Sequence, residues 1–192
     1  MQVTVPAAVF SALYANATEK TRHYIDCVRI SDIGGKIALV ATDGKIAAVY
    51  VTDTDTPNNF APVSVRPLAK LPKAESLVID ANAQQINILG KYDAPLGSVP
   101  CKINDGEFPQ SIERILRPPV SASEAFNVDL ALLARVEKLF KSTGSTSAKI
   151  FMSSDRCHNI EDYSGRWHVV LWGSRWKESA RTMPPSYTGA RF

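Results

Sequence analysis

One order of elements recurs along this chain, and that recurrence limits what its 192 residues can fold into. Residues 2–6 (QVTVP) read as a short strand ended by a proline that can open a helix. Residues 7–18 (AAVFSALYANAT) place Val9, Phe10, Leu13 and Tyr14 at helical spacing. Three strand-like runs follow at 24–31, 36–42 and 45–52, separated by Gly34-Gly35 and by Asp43-Gly44. Asp-Gly between apolar runs is a hairpin signal, because the turn needs a positive φ that glycine adopts cheaply. The order returns with a strand at 62–65, a short helix at 67–74 cut by Pro72, and strands at 76–82, 85–90 and 97–103. A third copy starts at 125–128 (AFNV) and continues into a helix at 129–142, whose apolar stripe is Leu130, Leu133, Val136, Leu139 and Phe140. Asp129 stands at its N-cap or first turn, and strands follow at 148–153, 157–162 and 166–172.

A repeat of about sixty residues is an architectural statement. Each unit has one helix and a small sheet with one apolar face, and units packed together bury those faces jointly. The expected fold class is α+β, built from strand-helix-three-strand units with helices on one face of antiparallel sheets. The expected organisation is a two-unit domain at 1–117, a third unit at 118–176, and a polar, proline-containing tail at 177–192. Between the second and third copies, 104–119 (NDGEFPQSIERILRPP) reads as a connector.

Composition narrows the chemistry. Hydrophobic residues make up 45% and charged residues 21%, which suits a packed core, and a net charge of +3 excludes a histone-like polycation. Cys27, Cys101 and Cys157 are too scattered for a disulfide framework or a paired-cysteine zinc site. His23, His158 and His168 have no metal-ligand spacing with carboxylates, and there is no P-loop, GxGxxG or GxSxG pattern. No enzymatic activity, metal or other cofactor is expected. No apolar run is long enough for a bilayer span and no signal-peptide pattern opens the chain, so a cytoplasmic protein with no membrane partner is expected.

Two stretches carry a family resemblance. Leu39-Val40-Ala41-Thr42-Asp43-Gly44-Lys45-Ile46-Ala47-Ala48-Val49 resembles the ATDG turn and flanking strands of the bacterial sliding clamp, the beta subunit of DNA polymerase III. Asp105-Gly106-Glu107-Phe108-Pro109, followed by Arg114-Ile115-Leu116, is similar to the segment that links the second and third domains of that clamp. A third match runs from Phe126-Asn127-Val128 to Ile160-Glu161-Asp162 and Trp167-His168-Val169-Val170-Leu171, much like the last half-domain. The resemblance covers about residues 1–172, as a middle domain joined to half of a C-terminal one. Where the family ends in a Met-Pro motif, this chain has Leu171-Trp172-Gly173 and runs on to Met183-Pro184.

The resemblance implies two working surfaces. One is a helical face that meets duplex DNA, for which the candidates are Lys20, Arg22, Arg66, Lys70, Lys73, Arg135, Lys138 and Lys141. Basic side chains on phosphates give sequence-independent, salt-sensitive attraction. Arg135, Lys138 and Lys141 are spaced at three and would share a face opposite the leucine stripe; the alternative is an ordinary solvated helix face. The other surface is an apolar pocket for short partner peptides. By motif it would use Thr42, Gly44, Lys45 and Ile46 of the turn, Pro109, Arg114 and Ile115 of the connector, and Val170, Leu171 and Trp172 of the last strand. The alternative for Ile46, Ile115 and Leu171 is ordinary core.

The function implied is a processivity factor, of a shortened form that suits a phage, that binds duplex DNA non-specifically and tethers a DNA polymerase or other replication protein, with a clamp loader as a further partner. The alternative is a clamp-fold regulatory protein that binds replication factors without encircling DNA. If family rings need twelve such units, a chain with three closes as a homotetramer.

Overall fold

The computed structural model describes residues 1–17, 25–104, 130–154 and 157–172. Among these, strands β1 (Gln2–Pro6), β2 (Val28–Ile33), β3 (Lys36–Thr42), β4 (Ile46–Asp55), β5 (Val63–Pro67), β6 (Ser76–Asp80), β7 (Gln85–Leu89), β8 (Pro95–Asn104), β9 (Ala148–Ser154), β10 (Cys157–Asp162) and β11 (Trp167–Trp172) accompany helices α1 (Ala7–Asn16) and α2 (Leu130–Lys141). All described strand pairs are antiparallel and belong to one sheet of order β1-β6-β7-β8-β5-β2-β3-β4-β11-β10-β9. The first and third units meet where β4 pairs with β11. The first and second meet where β2 pairs with β5. Strand β8 serves two neighbours, pairing its first half with β7 and its second with β5.

Side-chain alternation explains the core. Val3 and Val5 of β1, Leu77 and Ile79 of β6, and Ile86 and Ile88 of β7 all turn toward the helices, as a period of two requires. Helix α1 contributes Val9, Phe10 and Leu13 to the same cluster, and α2 contributes Val136, Leu139 and Phe140. The two helices touch each other on that face. The centre of the sheet is buried on both faces. Cys27, Ala38, Val40, Ala47, Val49 and Val170 form a second buried cluster on the side away from the helices. This is why β3 and β4 read as nearly unbroken apolar runs and not as alternating ones.

The second unit departs from the expected order. Residues 68–75 form no helix. Proline is the physical reason: Pro72 has no N–H to donate, its ring would clash with the carbonyl four residues back, and it drives Leu71 toward extended backbone. The segment nevertheless covers the sheet, with Leu71 and Ala74 packed against the main cluster. It also closes the start of α1, because the Ala7 N–H donates to the Glu75 carbonyl at 3.1 Å. The expected strand at 125–128 and the N-cap residue Asp129 lie outside the described residues, as do the connector and the tail.

Candidate functional site

The turn joining β3 to β4 uses nearly every polar group it owns. The Asp43 carboxylate Oδ1 accepts from the Lys45 and Ile46 N–H groups, both at 2.9 Å. The Thr42 hydroxyl donates to the Ile46 carbonyl at 2.9 Å and accepts from the Gly44 N–H at 3.1 Å. Gly44 sits at φ +86°, the left-handed region that favours glycine. Asx turns of this kind fix the backbone from a single carboxylate.

The other carboxylate oxygen reaches the third unit. Asp43 Oδ2 pairs with the Arg135 guanidinium at 2.7 Å, with the two side chains only 13% and 29% exposed. Arg135 Nε donates to Asn16 Oδ1 at 3.0 Å, and its second terminal nitrogen donates to the Asn16 carbonyl at 2.9 Å. One side chain of α2 thus binds the C-terminal end of α1 and the β3–β4 turn together. Burial pushes the Asp43 carboxyl up, but the Ile46 and Lys45 amides and the Arg135 guanidinium outweigh it and hold the group below the ordinary carboxylate value.

The structure sorts the expected pocket residues by register. Ile46 pairs with Leu171, so the turn and the end of β11 are neighbours. Both side chains are buried, about 1% exposed, in the cluster under the helices. Val170 belongs to the cluster on the opposite face, because adjacent strand residues point opposite ways. Thr42 is buried and pairs with Ala47, which in turn pairs with Val170. Gly44 and Lys45 are exposed. Trp172 pairs through its backbone with Cys157, and its side chain lies outside the described set with Pro109, Arg114 and Ile115. Among the described members, the exposed portion of the site is therefore the turn itself.

The expected DNA-facing residues also divide. Lys138 and Lys141 are exposed on α2, and Lys141 pairs with Glu137 at 2.6 Å. Arg135 does not share their solvent face. Steps of three fall short of a full turn by roughly 60° each, so the first and last of the three residues diverge. Arg66 follows Val65 of the main cluster, so it lies on the sheet face away from the helices, where it pairs with Asp26 at 3.0 Å. Lys70 and Lys73 are exposed on the segment 68–75, while Lys20 and Arg22 lie outside the described residues. Helix α1 has no charged residue.

At the other end of the β4–β11 seam, a cleft of about 550 Å³ is lined by polar residues including Tyr50, Thr143, Ser147, Asp162, Tyr163 and Arg166. It contains none of the candidate DNA-facing or peptide-pocket residues. Its charged groups are internally satisfied: Asp162 accepts from the Arg166 and Trp167 N–H groups and from the Ser164 hydroxyl, and Arg166 pairs with Asp53. No cluster of three or more potential metal ligands occurs among the described residues. No described helix is long and apolar enough to cross a membrane.

No family model matches the sequence, and no curated protein matches it. Solved structures do. The DNA polymerase III subunit beta from Pseudomonas aeruginosa superposes with a TM-score of 0.62 at 15% identity, over 92% of this chain and 67% of that one. The Borrelia burgdorferi subunit gives 0.63 at 11% identity, over 92% and 65%. The C. crescentus beta sliding clamp gives 0.60 at 14%, over 91% and 65%. The chain has the sliding-clamp fold. It spans about two thirds of the length of these clamps. The match covers more than nine-tenths of this chain, so it includes residues on both sides of the β4–β11 seam.

Proposed function

We propose that this chain is a clamp-fold protein of DNA replication that associates with duplex DNA without sequence preference and tethers a DNA polymerase or another replication protein there. The observation that carries this reading is the superposition of 92% of the chain on the DNA polymerase III subunit beta from Pseudomonas aeruginosa. In support, the helical side of the sheet presents Lys138 and Lys141 to solvent, a placement suited to phosphate contacts. Tethering works by raising the partner's effective concentration, with no bond made or broken.

Within that proposal, residues 1–117 act as a two-unit domain, 118–176 as a third unit and 177–192 as a peripheral tail. The partner peptide docks at the exposed Gly44–Lys45 turn and the end of β11, with Pro109, Arg114, Ile115 and Trp172 completing the pocket. Three units per chain lead to a closed tetramer if a ring has twelve. The test is retention on nicked circular DNA with loss after linearisation, read beside light scattering. Equal retention on both forms, or a monomer at working concentration, overturns the encircling clamp.

A second reading has its own support. With α1 uncharged and Arg135 committed to Asp43 and Asn16, exposed cations on the described helices reduce to Lys138 and Lys141. That is sparse for a DNA channel, and it suits a clamp-fold regulator that binds replication proteins and not DNA. Absence of DNA association at low salt, with partner binding retained, selects this reading.

A further inference from the structure

Arg135 lies on α2, a helix of the third unit that packs against α1 and β11, and its bonds leave the surface of α2 for two elements of the first unit. Its three nitrogens each have a protein partner: Asp43 Oδ2, Asn16 Oδ1 and the Asn16 carbonyl. These are charge-assisted bonds in a partly desolvated setting, the stronger class of protein hydrogen bond. The Asp43 carboxylate in turn holds the Lys45 and Ile46 amides through its other oxygen. A continuous chain of hydrogen bonds therefore runs from α2, through Arg135 and Asp43, to the backbone of the exposed Gly44–Lys45 rim.

We infer that Arg135 is a positioning residue for the partner-docking turn: it sets the conformation of residues 43–46 from the third unit and makes no phosphate contact of its own. This rests on the docking reading above for its consequence, and on geometry alone for its mechanism. A guanidinium facing DNA would be free to follow phosphates, whereas this one is fixed at both ends of a planar fork. The arrangement also makes docking competence depend on the units being packed together, because the turn belongs to one unit and its brace to another.

Three variants separate the parts of the inference. Arg135→Gln removes the charge and most of the fork. Arg135→Lys keeps a cation within reach of Asp43 but cannot serve Asn16 through the same planar group. Asp43→Asn keeps the carbonyl that accepts from Lys45 and Ile46 but puts an amide N–H donor where Oδ2 faced Arg135, losing both the charge and the acceptor, so it serves as the second variant should Arg135→Gln fold poorly. Amide hydrogen exchange on the intact chain is the primary readout. Protection of the Lys45 and Ile46 amides should fall about tenfold in Arg135→Gln and in Asp43→Asn, less in Arg135→Lys, and stay unchanged at β6 and β7. Binding of a fluorescein-labelled short peptide with leucine and phenylalanine anchors should weaken in the same rank order. The salt dependence of DNA association should match wild type in Arg135→Gln. Unchanged protection at residues 45 and 46 overturns the positioning role, and a shallower salt slope returns Arg135 to the DNA face. If the wild type does not bind the peptide while exchange responds as stated, the docking reading fails and the positioning role stands.

Discussion

Ile46 lies directly opposite Leu171 across the β4–β11 ladder, and both are buried beneath the helices. These two residues therefore join the units more than they line a groove. Replacing Leu171 with alanine removes buried methyl groups and leaves a cavity where β11 must pack, at a cost of about 2–5 kcal/mol. For a chain of this size that corresponds to a fall in Tm of roughly 4–20 °C. Thermal unfolding followed by circular dichroism checks it. A Tm within a degree of wild type, together with lost peptide binding, would show instead that Leu171 serves an open pocket.

The Asp43 carboxylate predicts an acid-sensitive element. Its folded-state value is depressed, so the stability it contributes is fully present above the unfolded carboxylate value of about 3.9 and is lost as pH falls through the lower folded value. Asp43→Asn should therefore destabilise the chain at neutral pH, and the gap to wild type should narrow as pH drops below about 4. Urea midpoints for both proteins at pH 7, 5 and 3.5 test the sign. A gap that is constant across these values would mean that the charge facing Arg135 contributes nothing.

Particular residues show which parts of this fold are legible in a sequence. β1 falls where alternation places it, and β3 where an unbroken apolar run between the Gly-Gly and Asp-Gly turns places it, because a half-buried strand and a left-handed glycine leave local signatures. The absence of the helix expected at 67–74 was also written locally, in Pro72, yet the repeat argued for the helix, and the proline prevailed. Two features had no local signature. Ile46 and Val170 could be assigned to one pocket only until the register put them on opposite faces. Arg135 reads as a surface cation at helical spacing, and only the approach of α2 to Asn16 and Asp43, 119 and 92 residues away in sequence, gives it another task. Partners distant in sequence are a property of packing, and a single sequence without its fold does not carry them.

For the helical face, Lys138→Ala with Lys141→Ala should weaken DNA association and lower the slope of log K against log salt by about 1.8, if each lysine neutralises one phosphate. The ion pair of Lys141 with Glu137 is solvent-exposed, so its loss should leave the fold intact. Arg66→Ala, on the face away from the helices, is the matched control and should leave the slope unchanged. Titration by fluorescence anisotropy with labelled duplex at several salt concentrations supplies the slopes. Equal slopes for the lysine variant and wild type would remove α2 from the DNA surface.

Trp167 supplies the last prediction, because it fastens the other end of α2. Its indole is buried, with ring centroids 4.9 Å from Tyr50 and 6.1 Å from Phe140, and its N–H donates to the Thr143 hydroxyl at 3.0 Å. Trp167→Phe keeps an aromatic ring but loses volume and that hydrogen bond, and leaves the Thr143 hydroxyl without the indole donor. Thr143→Val removes the hydroxyl and leaves a buried N–H unpaired, which costs about 1–3 kcal/mol. The two changes act on one bond, so the double variant should be less destabilised than the sum of the single ones. Urea unfolding of the three proteins gives the coupling directly. Strict additivity would mean that the indole holds α2 by ring packing alone, with the hydrogen bond to Thr143 contributing nothing to the seam.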